Sequence, residues 1–307
     1  MTDPVQFAIP SAVTSVPMPD AGAENYGNIQ NYLFGRSYQF VIGSGADALA
    51  YTDVKMTFEI EKTSESTSNK AKIELYNCNF PKNLKGLQIE LRVGYGSDMI
   101  ALFIGVAGAA THISRRRSGA DIITSIELGD GEKSLYHSYT NKKWPKKTPI
   151  LLVFNELLTA LGVPVFVDPS AKILLSESLD SCFVVSGSVK AALDILARKM
   201  GLKWTICDGR ASVWKDGSGF STITAIKVDK FTGMIGMPSI GSAGDGVTTF
   251  TSLLNPKIKP GMYVKIESID VNGVFTVQKA TYSGDTHASK WQVTCECKPA
   301  KNYVVSE

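Results

Sequence analysis

From Ser37 to Leu128, apolar and polar residues alternate with a period of two, the mark of strands that bury one face. In VKMTFEIE, Val54, Met56, Phe58 and Ile60 fall on one side, and Lys55, Thr57, Glu59 and Glu61 on the other. In KAKIELY, Ala71, Ile73 and Leu75 alternate with Lys70, Lys72, Glu74 and Tyr76. In LQIELRV, Leu87, Ile89, Leu91 and Val93 alternate with Gln88, Glu90 and Arg92. Wound into helices, these runs would scatter their apolar residues around the axis. Between the first two lies KTSESTSN, a polar loop. GYGSD after Val93 predicts a hairpin turn into MIALFI, and IITSIEL, 122–128, predicts a further strand.

At Thr148-Pro149 the period changes. Thr148 predicts an N-cap and Pro149 the first helical residue. Leu151, Phe154, Leu157, Leu158 and Leu161 then recur at spacings of three and four, and Gly162 ends the helix. VPVFVD predicts a short strand. A second helix follows, capped by Ser188 and stopped by Gly201, with Val189, Ala192, Leu193, Leu196 and Met200 as its apolar stripe. KWTICDGRASVWK predicts two strands about an Asp208-Gly209 turn. On those strands Trp204 and Trp214 are expected to pack in the core rather than to form a sugar platform. KDGSGFST, 215–222, has the composition of a linker.

Beyond it, Thr232 to Trp291 is dense in turn residues set between short β-rich runs. Strands are expected at Ile223–Val228, VTTFTSLL, MYVKIESI, VFTVQKATY and KWQVTCECK. Gly233, Gly236 and Pro238 set the loop into this unit. Asn255, Pro256, Pro260 and Gly261 set its middle corner. Gly284, Asp285 and Trp291 set its last hairpin. The prediction is a small antiparallel barrel. At the other end, Pro4, Pro10, Pro17 and Pro19 forbid a helix in residues 1–30, which leaves a floppy terminus or, as the functional reading, an extended arm lying on a neighbouring subunit or partner.

Composition narrows the chemistry. The 307 residues carry a net charge of +3, too small to mark a nucleic-acid binder, and a hydrophobic fraction of 44% that can bury a real core. Five cysteines without CxxC pairing and three histidines argue against a zinc site and for reduced thiols in a cytosolically made chain. Cys295 and Cys297, two apart on a strand, share one face. No leader pattern is visible, and the longest apolar run, Met99 to Ala110, is too short for a bilayer, which predicts a soluble protein without membrane insertion. HExxH, GxSxG, SxxK, GxGxxG and GxxxxGK[ST] do not occur. No catalytic residue, metal or cofactor is assigned, and the chain is expected not to be an enzyme. Asp130 and Glu132 are expected in a solvated turn, and Asp285 and His287 in a hairpin loop with too few ligands for a metal. Arg115, Arg116 and Arg117 are expected in a polar loop between strands, as a possible phosphate or subunit contact.

Three stretches together resemble a known family. TGMIGMP is followed by LLNP, by a strand led by Pro260-Gly261 and by GD…W. EIEKTSESTSNKAKIELYN, 59–77, and GDGE, 129–132, add to the pattern. The order is similar to that of the tail hub proteins of contractile-tailed bacteriophages. The resemblance implies a mainly β fold in which two tube-like antiparallel β-barrel domains flank a two-helix α+β domain. The divisions would be an arm at 1–30, a first tube-like domain at 31–146, the α+β domain at 147–216 and a second tube-like domain at 217–303. It also implies a homotrimer whose six β-domains form a ring that continues the tail tube and adapts six-fold symmetry to a three-fold spike. The implied partners are the tail tube protein, the central spike and baseplate wedge components, with DNA passing the lumen without specific binding. The place would be the virion baseplate, assembled in the host cytoplasm. A cell-wall-degrading or glycan-binding tail protein, and the hub of a contractile secretion or injection system, are the alternatives.

Overall fold

The computed structural model describes residues Val5–Gln6, 35–79, 81, 83–108, 111–220, 224–241 and 246–300. The expected arm therefore lies outside the described residues except for strand β1, Val5–Gln6.

The first β-rich segment contains β2 (Arg36–Ile42), β3 (Leu49–Tyr51), β4 (Met56–Thr63), β5 (Asn69–Tyr76), β6 (Gln88–Tyr95), β7 (Asp98–Val106), β8 (His112–Ser118) and β9 (Asp121–Asp130). A middle segment holds α1 (Glu132–His137), β10 (Tyr139–Trp144), α2 (Ile150–Ala160), β11 (Val165–Val167), α3 (Pro169–Leu174), β12 (Phe183–Ser188), α4 (Val189–Met200), β13 (Leu202–Cys207) and β14 (Arg210–Lys215). The second β-rich segment holds β15 (Ile226–Val228), β16 (Met234–Ile240), β17 (Thr248–Leu253), β18 (Tyr263–Glu267), β19 (Asn272–Asp285) and β20 (Trp291–Pro299). The fold is mainly β with a small α+β module, as expected.

One strand pair joins the two β-rich segments. β19 pairs antiparallel with β4, Tyr282 opposite Ile60 and Gly284 opposite Phe58, and so completes a ten-stranded sheet. Its main path runs β16-β17-β20-β19-β4-β5-β9-β8, with β18 and β15 attached beside β19. A second sheet, β1-β3-β2-β6-β7, joins β1 to four strands of the first segment. One apolar core serves both: Phe40, Ile89, Leu91 and Phe103 are in the same cluster as Phe58, Ile60, Ile73, Tyr282, Val293 and Cys295. Cys295 and Cys297 are both buried on the same face, and all the described cysteines are free.

Alternation placed β4 and β5 correctly, whereas β6 differs. Leu87 lies outside the strand and is partly exposed, and Glu90, on the expected solvent side, is buried and accepts a 2.6 Å bond from Arg92 Nε. Three of the other expectations are corrected. Residues 62–69 are not all loop, because β4 runs through Lys62 to Thr63. Residues 232–236 are not all loop, because the turn ends at Gly233 and β16 begins at Met234. The composition of 215–222 hides an anchor, because Phe220 is buried against Trp214 at 5.0 Å between ring centroids, and its N–H donates to Gly261 O.

The module follows helix chemistry. Ser188 Oγ accepts the N–H of Ala191, and Gly201 closes α4 in the left-handed conformation, both as expected. Thr148 does not cap α2: its hydroxyl donates to Pro145 O, and Pro149 occupies the cap position. Helix α3, which periodicity missed, is capped by Asp168 with Pro169 at its first position. Trp204 packs in the module's own core with Phe154, Leu193 and Leu196, while Trp214, on the opposite face of the hairpin, enters the main core.

Candidate functional site

The face of the ten-stranded sheet turned away from the core is mostly polar, with Ile235 and Leu253 on it at the β16–β17 end and Ile123 near the β8 end. Cross-strand partners share a face. One row reads Thr251, Thr294, Thr281, Glu61, Lys70. The next reads Gln292, Ser283, Glu59, Lys72, Glu127, His112. A third reads Asp285, Thr57, Glu74, Ser125, Ser114. Carboxylates and cationic groups alternate here and pair: Lys72 with Glu127 at 2.9 Å, Lys279 with Glu61 at 3.0 Å and the Arg116 guanidinium with Glu74 at 3.5 Å. Exposed pairs of this kind add little stability. They give the face a balanced charge, studded with hydroxyls such as the Thr251–Thr294 contact at 3.0 Å.

Among the described residues, both ends of this sheet's main path are open. β8 is exposed at all seven residues. Arg115, Arg116 and Arg117 lie on it, in a strand and not in the loop expected. Having no buried side, HISRRRS shows no apolar alternation. The pleat also divides the three charges. Arg116 stands on the polar face with Glu74, while Arg115 and Arg117 turn the other way to the carbonyls of Cys78 and Gly119. At the opposite end β16 exposes Ile235, Met237 and Ile240. Its register slips between Ile235 and Ser239, where Gly236 has φ +71°, so Gly236 and the buried Pro238 form a bulge in an edge strand. Gly233, with φ +97°, sits just before it.

The other residues expected at corners fall in the β17–β18 connection and the β19–β20 hairpin. Asn255 Oδ1 accepts from Lys257 N, and Gly261 has φ +84°, shaping the turn that carries Pro256 and Pro260 between β17 and β18. Asp285 Oδ1 accepts the N–H groups of His287 and Ala288 in the β19–β20 hairpin, and Gly284 faces Trp291. A Cβ on Gly284 would lie 2.3 Å from the Phe58 ring and 2.9 Å from that of Trp291. Gly284→Ala is therefore expected to cost about 1–3 kcal/mol in a denaturant titration, since overpacking forces both rings to move.

A second constellation was not foreseen. Lys62, Asp130, Asp208 and Lys259 are all buried where the three chain segments meet. Lys62 Nζ and Lys259 Nζ each lie 2.6 Å from one oxygen of Asp208. The Asp130 carboxylate accepts from the N–H groups of Asp208 and Gly209, the latter at 3.1 Å. Asp208 has φ +54° and Gly209 +72°, the left-handed pair of a tight hairpin, as DG predicts. Burial works against the charge of Asp208, yet Lys259 and Lys62 outweigh it and hold the carboxyl below its ordinary value. Burial equally opposes the charge of Lys62, and Asp208 more than restores it. Asp130 goes the other way: burial, then the charge of Asp208, push it up to about 7. Asp130 is thus not in a solvated turn. The sequence did hold one signal, since Lys62 continues the apolar parity of Met56, Phe58 and Ile60. The surrounding bonds are dense. Asn69 Nδ2 donates to Ile206 O at 2.8 Å, Thr205 Oγ1 to the carbonyls of Thr63 and Glu65, and Lys203 pairs with Glu65 at 2.6 Å.

No family model matches the sequence, and no characterised protein matches it by sequence. Solved structures do match. A tail protein from Neisseria meningitidis MC58 superposes with a TM-score of 0.63 at 11% identity, over 86% of this chain and 97% of the other. The 43 kDa tail protein of prophage MuSo2 from Shewanella oneidensis gives 0.61 at 9% identity, over 85% and 98%. The fold is that of phage tail proteins. An E. coli type VI secretion component, described as structurally similar to the T4 tail proteins gp27 and gp5, gives 0.56 at 13% identity, over 80% and 74%. The resemblance read from the sequence is thus met in the fold, and in this chain the ten-stranded sheet carries the mostly polar face and, among the described residues, the two open edges.

Proposed function

We propose that the chain is a structural hub of a contractile tail. Three copies close head to tail into a ring whose inner wall is the polar face of the ten-stranded sheet. That sheet carries the proposal. It runs through both β-rich segments, keeps one face in the core and the other mostly polar, and among the described residues its main path ends in two edge strands of the same chain, β8 and β16, each with one side free. Unpaired edges invite another strand, and a head-to-tail contact that closes makes a ring. With two β-rich segments per copy, three copies present six around the axis, which suits a junction between a six-fold tube and a three-fold spike. The tail tube protein, the central spike and baseplate wedge components would be the neighbours. A face on which carboxylates offset lysines lets DNA pass without being held. The place would be the baseplate of the virion, and the reading assigns no catalysis to the chain.

The likeness to a type VI component favours a second reading, the hub of a contractile secretion system. Both make the same physical demand. Light scattering on the purified chain, alone and with tube and spike proteins, is expected to show a threefold mass. Ile235→Lys with Ile240→Lys on the β16 edge is expected to leave a folded single copy. Such an interface should bury on the order of 2,000 Å² or more, so charges at its rim of apolar residues should be decisive. A single copy under every condition, or a trimer indifferent to the edge substitutions, would sink the proposal.

A further inference from the structure

Strand pairing alone leaves one exposed aromatic ring and one hollow of this chain without a use. Phe231 is 76% exposed on the turn between β15 and β16, yet that turn is tightly built. Asp229 is buried, and its Oδ1 accepts the N–H groups of Phe231 and Thr232 at 2.8 Å each. Its own N–H donates to Thr232 Oγ1 at 2.7 Å, and its carbonyl accepts from Met234 N at 3.0 Å. Lys227 ties Asp229 to Glu267 of β18, at 3.0 and 2.9 Å, and so fixes this turn to the next one, where Ile269 is 87% exposed. A large aromatic side chain held out into water by a rigid turn is organised in advance for a partner, and aromatic anchors carry much of the energy of protein interfaces. We propose that Phe231 of one copy seats in the hollow beside β8 of the next copy, among Ile42, Leu49 and Leu87, with Lys230 set against Asp47.

The hollow measures about 270 Å³ and is walled by Ile42, Leu49, Pro81 and Leu87. A cavity of about 150 Å³ already admits a benzene ring, so a phenyl side chain has room. Gly43 at φ +91° and Gly86 at φ +81° turn the chain through left-handed corners at its edge. It lies on the β8 side of the molecule. Cys78, three positions before Pro81, is held through its carbonyl by Arg115 of β8, and Gly86 and Leu87 bond to Ala107 between β7 and β8. Phe231 stands three positions before the start of β16. Ring and hollow thus flank opposite edges of one sheet, as a head-to-tail contact between copies requires. The charges agree. Lys230, with Nζ 4.7 Å from the Phe231 ring, is exposed, and so is Asp47 on the wall of the hollow. Neither pairs with an opposite charge among the described residues of its own chain.

This seat rests on the ring proposed above and adds to it a contact that edge strands do not supply. The test uses the full chain, with mass followed by light scattering through a dilution series. Phe231→Ala changes an exposed position, so the fold should stay intact while the concentration of half-assembly rises about 30-fold or more, the scale of an interface anchor. Lys230→Glu and Asp47→Lys are each expected to weaken assembly about threefold or more. Combined in one chain they should restore it to within about twofold of the native value, because the pair is then reversed and not broken. A native chain that stays single at every concentration would remove the ring and the seat together. A ring that yields to Ile235→Lys with Ile240→Lys but is indifferent to Phe231→Ala keeps the ring and overturns the seat. So does a double charge variant as weak as its two parents combined. A loss seen only in mixtures with tube or spike proteins would assign Phe231 to another partner, and that too overturns the seat.

Discussion

Asp208→Asn is expected to destabilise the chain by about 3–5 kcal/mol, because it strips the partner from two buried ammonium groups at once. Lys62 is fully buried and Lys259 nearly so, and each lies 2.6 Å from an oxygen of that carboxylate. Asparagine keeps the shape of the side chain and tolerates the left-handed backbone at φ +54°, so the loss reports charge and not turn strain. Lys62 would have to give up its proton or draw water into the core, and either should open the contact between module and sheet. Denaturant titration followed by tryptophan fluorescence checks the size. A companion variant with Lys62→Met and Lys259→Met added to Asp208→Asn should recover much of the loss, as an apolar replacement of the whole set removes the stranded charges. Acid should mimic the single variant. The Asp208 carboxyl is held below its ordinary value of 3.8, so the stability it brings is present above about pH 4 and is lost as the pH falls through its folded value. A cost under about 1 kcal/mol for the single variant would show that the lysines find other partners.

Trp291→Ala is expected to cost a similar amount, about 3–5 kcal/mol, for an apolar reason. Trp291 is 1% exposed. Its ring meets Phe58 edge-on at 5.4 Å, and the Arg36 guanidinium lies 5.5 Å from its centre. Arg36 also donates to the carbonyls of Ala288 and Ser289, so the residue clamps β2, β4 and the β19–β20 hairpin together. Truncation would leave a cavity bounded by strands that cannot close on it, since both sheets hold them in place. A change under about half a kcal/mol would mean that the indole is not seated in the core.

Much of this architecture was legible from local pattern. Met56, Phe58 and Ile60 gave β4, Ser188 and Gly201 bracketed α4, and Asp208-Gly209 gave its hairpin, because each depends on neighbours within a few positions. Other features carried no such trace. β8 lacks a buried face, so HISRRRS resembled a loop. β16 is broken by a bulge at Gly236, so TGMIG looked like a turn. Helices α1 and α3, six residues each, are too short to show a period. The pairing of β19 with β4 is written in no window of sequence, since either edge could have accepted many strands. The charge cluster was hidden for the same reason: Lys62 and Lys259 are ordinary surface residues until a distant hairpin brings Asp208 between them.

That long-range pairing also dictates an order of events in the cell. Met56 of β4 binds Thr286, just after β19, across 230 positions of chain. During synthesis the earlier strand must therefore wait, one side unclaimed, while the whole middle module emerges and settles. Such a delay exposes a sticky border to neighbouring nascent chains, so yield should depend on how quickly translation proceeds between the two strands.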